Sequence, residues 1–110
     1  MGQFVKGDIV VIPFPFSDLT QAKRRPALVV AALRGDDLIL CQITSRQLSD
    51  EYAVPLDSTD IHGGSLDKSS NVRPNRLFTA DQQIILYKVG SIDSTKMNEV
   101  VCRIIDIVSA

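Results

Sequence analysis

The 110 residues suit one folded domain and leave no room for two. With 45% apolar and 23% charged residues, the chain is neither disordered nor fibrous in composition. A formal charge of −1 and a pI of about 5.7 exclude a protein that holds nucleic acid by overall charge, though not one that uses a local basic patch.

The chain opens on Met1-Gly2-Gln3-Phe4, without the basic and then apolar pattern of a secretory leader. No apolar run approaches the ~20 residues of a membrane helix, so the expected location is the cytoplasm, with no membrane partner. Gly7-Asp8 signals a turn, and the branched run Ile9 to Ile12 predicts a first strand. Pro13 and Pro15 frame Phe14 and Phe16; they end regular pairing or mark a sheet edge. Ser17 to Ala22 is polar and loop-like. Pro26 to Leu33 predicts a second strand, buried on both faces because its apolar run is nearly unbroken.

Gly35-Asp36-Asp37 predicts a hairpin turn, and Leu38 to Thr44 a third strand. Alternation puts Ile39, Cys41 and Ile43 on an expected core face; Leu40, Gln42 and Thr44 form the other, which grows polar toward the strand end. Ser45 to Asp50 reads as loop and Tyr52 to Leu56 as a short strand. Asp57 to Ser69 reads as a long turn region. Pro74 interrupts the next segment, leaving a predicted strand at Leu77 to Ala80. Ile84 to Val89 is ambiguous, with Gly90 closing it. The last segment is a helix capped by Asp93 or Ser94. Met97, Val100, Val101, Ile104, Ile105 and Val108 form one apolar stripe, suited to the sheet or to a second subunit. Short strands, tight turns and one terminal helix predict a mainly β fold, a small bent barrel with a helix packed on it. Cys41 and Cys102 each sit in an apolar run and are expected as buried free thiols.

Three stretches concentrate polar and basic residues. Lys23-Arg24-Arg25-Pro26 stands at the start of the second strand. Pro26 biases Arg25 toward extended backbone, and a planar guanidinium grips two phosphate oxygens at once. Thr44-Ser45-Arg46 ends the third strand with two hydroxyls and a charge. Asn71, Arg73 and Arg76 cluster further on, residue types suited to RNA bases and backbone. Arg25 and Thr44 each lie about nine or ten positions from the hairpin turn, so antiparallel pairing brings both to one sheet end, within reach of one phosphate. Other chemistries lack their residues. His62 is the single histidine and reads as a solvated turn residue, no metal-ligand spacing is present, and no phosphate-binding glycine loop occurs.

In order and spacing these strings resemble the PemK/MazF family of toxin–antitoxin ribonucleases over most of the chain. Gly7-Asp8-Ile9-Val10 with Pro13-Phe14 resembles its opening strand, and Arg24-Arg25-Pro26-Ala27-Leu28-Val29-Val30 its Arg-Pro strand. Ile43-Thr44-Ser45 resembles its threonine-bearing strand end, and Ser70-Asn71-Val72 with Arg76-Leu77-Phe78-Thr79-Ala80-Asp81 its later block. Many members carry a glycine shortly before the Arg-Pro pair, where Lys23 and Arg24 stand here. The resemblance implies an SH3-like barrel of the CcdB/PemK/MazF type, a homodimer, and single-stranded RNA in the dimer groove. It implies cleavage to 2′,3′-cyclic phosphate and 5′-hydroxyl ends without metal or cofactor, and an antitoxin that covers the groove. Arg25 and Thr44 match the family's catalytic arginine and threonine; Lys23, Arg24, Ser45, Arg46, Asn71, Arg73 and Arg76 are the expected substrate contacts. A CcdB-like toxin that inhibits a protein target would not need the Arg25–Thr44 pair. A peptide-binding SH3-like module would need exposed aromatics, and the chain has 5% aromatics and no tryptophan.

Overall fold

Nearly continuous apolar runs build the first three strands, and the sheet grows outward from them on both sides. In the computed structural model, which describes residues 3–14, 23–45, 50–66 and 68–110, the strands are β1 Asp8–Phe14, β2 Lys23–Ala32, β3 Asp37–Thr44, β4 Val54–Leu56, β5 Ile61–His62, β6 Ser70–Asp81 and β7 Tyr87–Ile92, followed by helix α1 Ser94–Ser109. Their order across the sheet is β4-β6-β3-β2-β1-β7-β5, with every described pair antiparallel. The sheet curls into a nearly closed barrel with the single helix packed on it.

The central strands are buried on both faces. Ile9, Leu28, Cys41 and Ile43 join Met97 and Val100 of α1 in one apolar cluster. Val10, Ile12, Ala27, Val29, Leu38 and Leu40 form a second cluster on the opposite face. Leu38 and Leu40 are therefore core, whereas the expected core residue Ile39 is only half-buried. Asp93 caps α1, its carboxylate accepting from the Lys96 amide at 2.9 Å. The helical stripe meets the barrel as far as Ile104, which with Val101 packs against the first cluster. Met97 and Val100 are buried, while Ile105 and Val108 are 53% and 72% exposed.

Several predicted boundaries move. β2 begins at Lys23, so the basic triplet lies inside the strand, paired with Ile12, Pro13 and Phe14 of β1. Pro13 stays in the ladder because β7 pairing ends at Val11, leaving that stretch of β1 with one neighbour. Pro15, Phe16, the 17–22 segment, Arg46 and Asp67 lie outside the described residues. β6 is one strand of 12 residues. Cys41 pairs with Leu77 and Gln42 with Arg73, so Pro74, Asn75 and Arg76 bulge out of the β3 ladder and the proline removes no ladder hydrogen bond. Two further bulges fall at Val30, between the Val29 and Ala31 pairings, and at Val89, between the Lys88 and Gly90 pairings. Gly90 lies within β7 rather than closing it, and β5 crosses it closely. A Cβ on Gly90 would stand 2.7 Å from the His62 carbonyl oxygen.

Both cysteines are free, but only Cys41 is buried. Cys102 is exposed because it lies on the helix side that carries Asn98, Glu99 and Asp106. The Cys41 thiol donates to the Arg73 carbonyl oxygen at 2.9 Å. Burial pushes it from 9.0 up to about 12.

Two outcomes are expected. A Cβ on Gly64 would fall on the Val89 carbonyl oxygen, so Gly64→Ala lowers stability by about 2–3 kcal/mol in a denaturant titration. In the native protein a thiol reagent modifies Cys102 at once and Cys41 only after denaturation. The folded Cys41 thiol holds its proton more tightly than the unfolded one, so its stabilisation is intact below pH 9.0 and drains as pH rises toward about 12. A melting-temperature series against pH shows this alkaline slope, and Cys41→Ala flattens it.

Candidate functional site

The ladder between β2 and β3 pairs Ala27 with Gln42. Continued two residues along each strand, this register sets Arg25 opposite Thr44. β1 pairs Ile12 with Arg25, and β6 pairs Thr44 with Asn71. Extended by register alone past the last β2–β3 pair, Ala27 with Gln42, the residues Ile12, Arg25, Thr44 and Asn71 fall in one row across the four strands. The pleat puts Arg25 and Thr44 on one face, and Arg24 and Ser45 on the other.

A cleft of about 560 Å³ lies over this end of the sheet. β2 contributes Arg24, Arg25 and Pro26 to its wall, and β3 contributes Ile43, Thr44 and Ser45. Ser65, Leu66, Lys68 and Ser70 line a second side; Tyr87, Lys88 and Val89 of β7, with Val11, complete it. Among the described lining residues are four cationic side chains, Arg24, Arg25, Lys68 and Lys88, and no carboxylate. In a chain of net charge −1 this is a strong local segregation, and a cleft with low-dielectric walls focuses the resulting field. Arg24 and Arg25 are exposed, and Thr44 is half-buried.

The expected site residues divide. Arg24, Arg25, Thr44 and Ser45 come together in the cleft. Asn71 is half-buried beside Thr44 in the row, Lys23 is exposed at the start of β2, and Arg76 is exposed in the β6 bulge; none of the three lines the cleft. Arg73 is turned toward Asp50. Its guanidinium lies 3.4 Å from the Asp50 carboxylate, with the side chains 18% and 11% exposed. The other carboxylate oxygen of Asp50 accepts from the Tyr52 amide at 2.9 Å. This pair ties β6 to the segment that leads into β4.

Lys68, Lys88 and Tyr87 were not legible in the sequence. Each is a single residue in an unremarkable context, and only the neighbouring of β1 with β7 carries Tyr87 and Lys88 to the cleft. His62 is outside it, 3.7 Å from the Asp93 carboxylate and exposed. The Lys96 amide hydrogen bond and then His62 hold the Asp93 carboxyl below its usual value. Among the described residues no group of three His, Cys, Asp or Glu could hold a metal ion. No described helix is long and apolar enough to cross a membrane.

A barrel of this strand order, with one terminal helix, defines the MazF-type fold. The chain belongs to the PemK-like, MazF-like toxins of type II toxin–antitoxin systems, whose family model matches residues 5–108. Solved structures share the fold. An endoribonuclease from a mycobacterial species is 14% identical, with a TM-score of 0.75 over 99% of this chain and 94% of that one. A mycobacterial endoribonuclease in complex with its cognate antitoxin is 12% identical, with a TM-score of 0.74 over 99% and 96%. A chain of the MazE–MazF structure from Deinococcus radiodurans is 20% identical, with a TM-score of 0.77 over 96% of each. No curated protein matches the chain by sequence.

Removing either member of the Arg73–Asp50 pair leaves the other charged and largely buried. Arg73→Ala and Asp50→Ala are each expected to lower stability by roughly 1–3 kcal/mol. The double variant loses less than the sum of the two, as chemical denaturation of the full cycle will show.

Proposed function

We propose that the protein is a sequence-specific endoribonuclease toxin that cuts single-stranded RNA without a metal, and that Arg25 and Thr44 are its catalytic pair. The observation that carries this reading is the cleft whose described lining holds four cations and no carboxylate and includes both Arg25 and Thr44. An anionic ligand is favoured there, and a guanidinium beside a hydroxyl suits one phosphodiester. The family to which the chain belongs, and the endoribonucleases that share its fold, point the same way.

The chemistry needs little from the protein. The 2′-hydroxyl of RNA sits next to its own phosphate, so the nucleophile is already in place. Its oxygen bonds to phosphorus as the bond from phosphorus to the 5′-oxygen breaks. The products are a 2′,3′-cyclic phosphate and a 5′-hydroxyl; one proton leaves the 2′-oxygen and one is delivered to the 5′-oxygen. Charge builds on the equatorial phosphoryl oxygens in between. Arg25 neutralises it and Thr44 donates a hydrogen bond to it. A guanidinium holds its proton too firmly to act as a base, so Arg25 serves as stabiliser and as donor to the leaving oxygen. Arg24 and Ser45, on the other pleat face, contact the substrate strand. Cutting messenger RNA in the cytoplasm stops translation and growth. The working form is a homodimer, held in check by a cognate antitoxin over the RNA groove. The exposed apolar residues Ile105 and Val108 at the end of α1 leave surface for such partners.

The test is incubation of purified protein with a long single-stranded RNA in EDTA, with the fragment ends mapped. Cyclic phosphate and 5′-hydroxyl ends are expected. Arg25→Ala and Thr44→Ala should each slow cutting roughly a hundredfold or more, with the Arg25 variant still folded because that side chain is exposed. RNA left intact by the parent protein, or cut at full rate by the double variant, overturns this assignment. Growth arrest without RNA cutting would point to a protein target instead.

A further inference from the structure

The reaction just described leaves one wall of the cleft unused. Tyr87 and Lys88 are consecutive on β7 and both border the cleft. Tyr87 is 49% exposed, so an aromatic ring faces solvent where an apolar side chain gains nothing from the barrel. Lys88 is restrained. Its ammonium lies 3.1 Å from a carboxylate oxygen of Asp8. Asp8 is 2% exposed, and its other oxygen accepts from the Val5 amide at 2.9 Å. A carboxylate this buried persists where it is paired. The pair holds a long, otherwise mobile side chain in one place, which lowers the ordering entropy a ligand must overcome. An ammonium has three protons, and the bond to Asp8 leaves others for a ligand.

Two further features set this wall apart. Lys88 and Val89 also border a second depression, of about 370 Å³, that they share with His62, Gly63, Gly90 and Ser91. Lys88 thus stands on the ridge between the cleft and its neighbour. The strand is also bulged there, with Val89 inserted between the Lys88 and Gly90 pairings. A bulge bends its strand and re-aims the side chains beside it.

We propose that Tyr87 and Lys88 form a subsite for the nucleotide flanking the scissile phosphate. The tyrosine ring stacks on the base, and the lysine donates to that nucleotide's own phosphate. Stacking accepts any base, so the subsite adds affinity and fixes the register of the strand over Arg25 and Thr44 without itself choosing a sequence. The inference rests on the RNA-cutting reading and extends it from the scissile phosphate to the next residue of the strand.

The experiment uses a fluorescent, uncleavable 2′-O-methyl single-stranded RNA and follows binding by anisotropy, beside steady-state cutting of the matching RNA. Tyr87→Ala should weaken binding about tenfold, while Tyr87→Phe, which keeps the ring, binds as the parent does. Lys88→Gln should weaken binding several-fold, about what loss of a charged hydrogen bond gives, and Lys88→Arg should restore it. In cutting, both losses should appear in KM rather than kcat. An abasic position walked along the oligonucleotide should, at one place next to the cut, erase the difference between Tyr87→Ala and the parent. Folded Tyr87→Ala and Lys88→Gln proteins that match the parent in affinity and KM overturn the subsite, even if the parent cuts RNA. A parent that binds but never cuts, with both variants weakened, removes the nuclease reading and leaves the subsite standing. A parent that neither binds nor cuts removes both.

Discussion

The ladder between β2 and β3 determines where Arg24, Arg25, Thr44 and Ser45 stand in the cleft. It cannot slip, because both of its faces are buried. Leu28 and Cys41 are fully buried on one side, Val29 and Leu40 on the other. A shift by one residue would exchange the two sets and misfit both clusters at once. The row that holds Arg25 and Thr44 begins only two residues beyond Ala27 and Gln42. Strand pairing that is enforced by apolar burial therefore carries Arg25 and Thr44 to the same end of the sheet, where both line the cleft.

The electrostatics follow from where the acids are spent. The chain has 13 acidic and 12 basic residues, yet the charged residues in the described cleft lining are all cations. Asp8 is engaged by Lys88, Asp50 by Arg73 and Asp60 by Lys96, the last at 3.7 Å. Asp93 caps the helix and faces His62. Apart from Asp8, which holds the cleft-lining Lys88, these carboxylates engage residues that do not line the cleft. Near-neutral total charge and a locally cationic groove are compatible because screening confines each field to about 8–10 Å at ordinary ionic strength.

What could be read from the chain alone was what depends on neighbours in sequence. The hairpin of β2 and β3 was legible because Arg25 and Thr44 lie at matched distances from one turn, and the helix because its apolar period is regular. The family resemblance rested on those same strings. The rest needed partners far away along the chain. Pro74 reads as a break, but three bulged residues carry it within β6. Gly90 reads as a stop, but it is the point where β5 crosses β7. Leu38 and Leu40 looked like one side of a half-exposed strand, since nothing local reveals a second buried face. Arg73 looked like a ligand for RNA, and its carboxylate partner is 23 residues distant. Lys68 and Lys88 enter the cleft through a strand order that no local pattern encodes.

The bulge at Val30 has an effect well beyond its own position. Near the turn, Ala32 faces Leu38 and Ala31 faces Ile39; past the inserted valine, Val29 faces Leu40 and Ala27 faces Gln42. Without the insertion, the register set at the turn would run on and bring Arg25 opposite Ser45, not Thr44. One supernumerary residue in the middle of a strand thus selects which of two adjacent hydroxyls meets the arginine. A β2 of the same length paired without a bulge would need serine and threonine in the reverse order to keep the same partner.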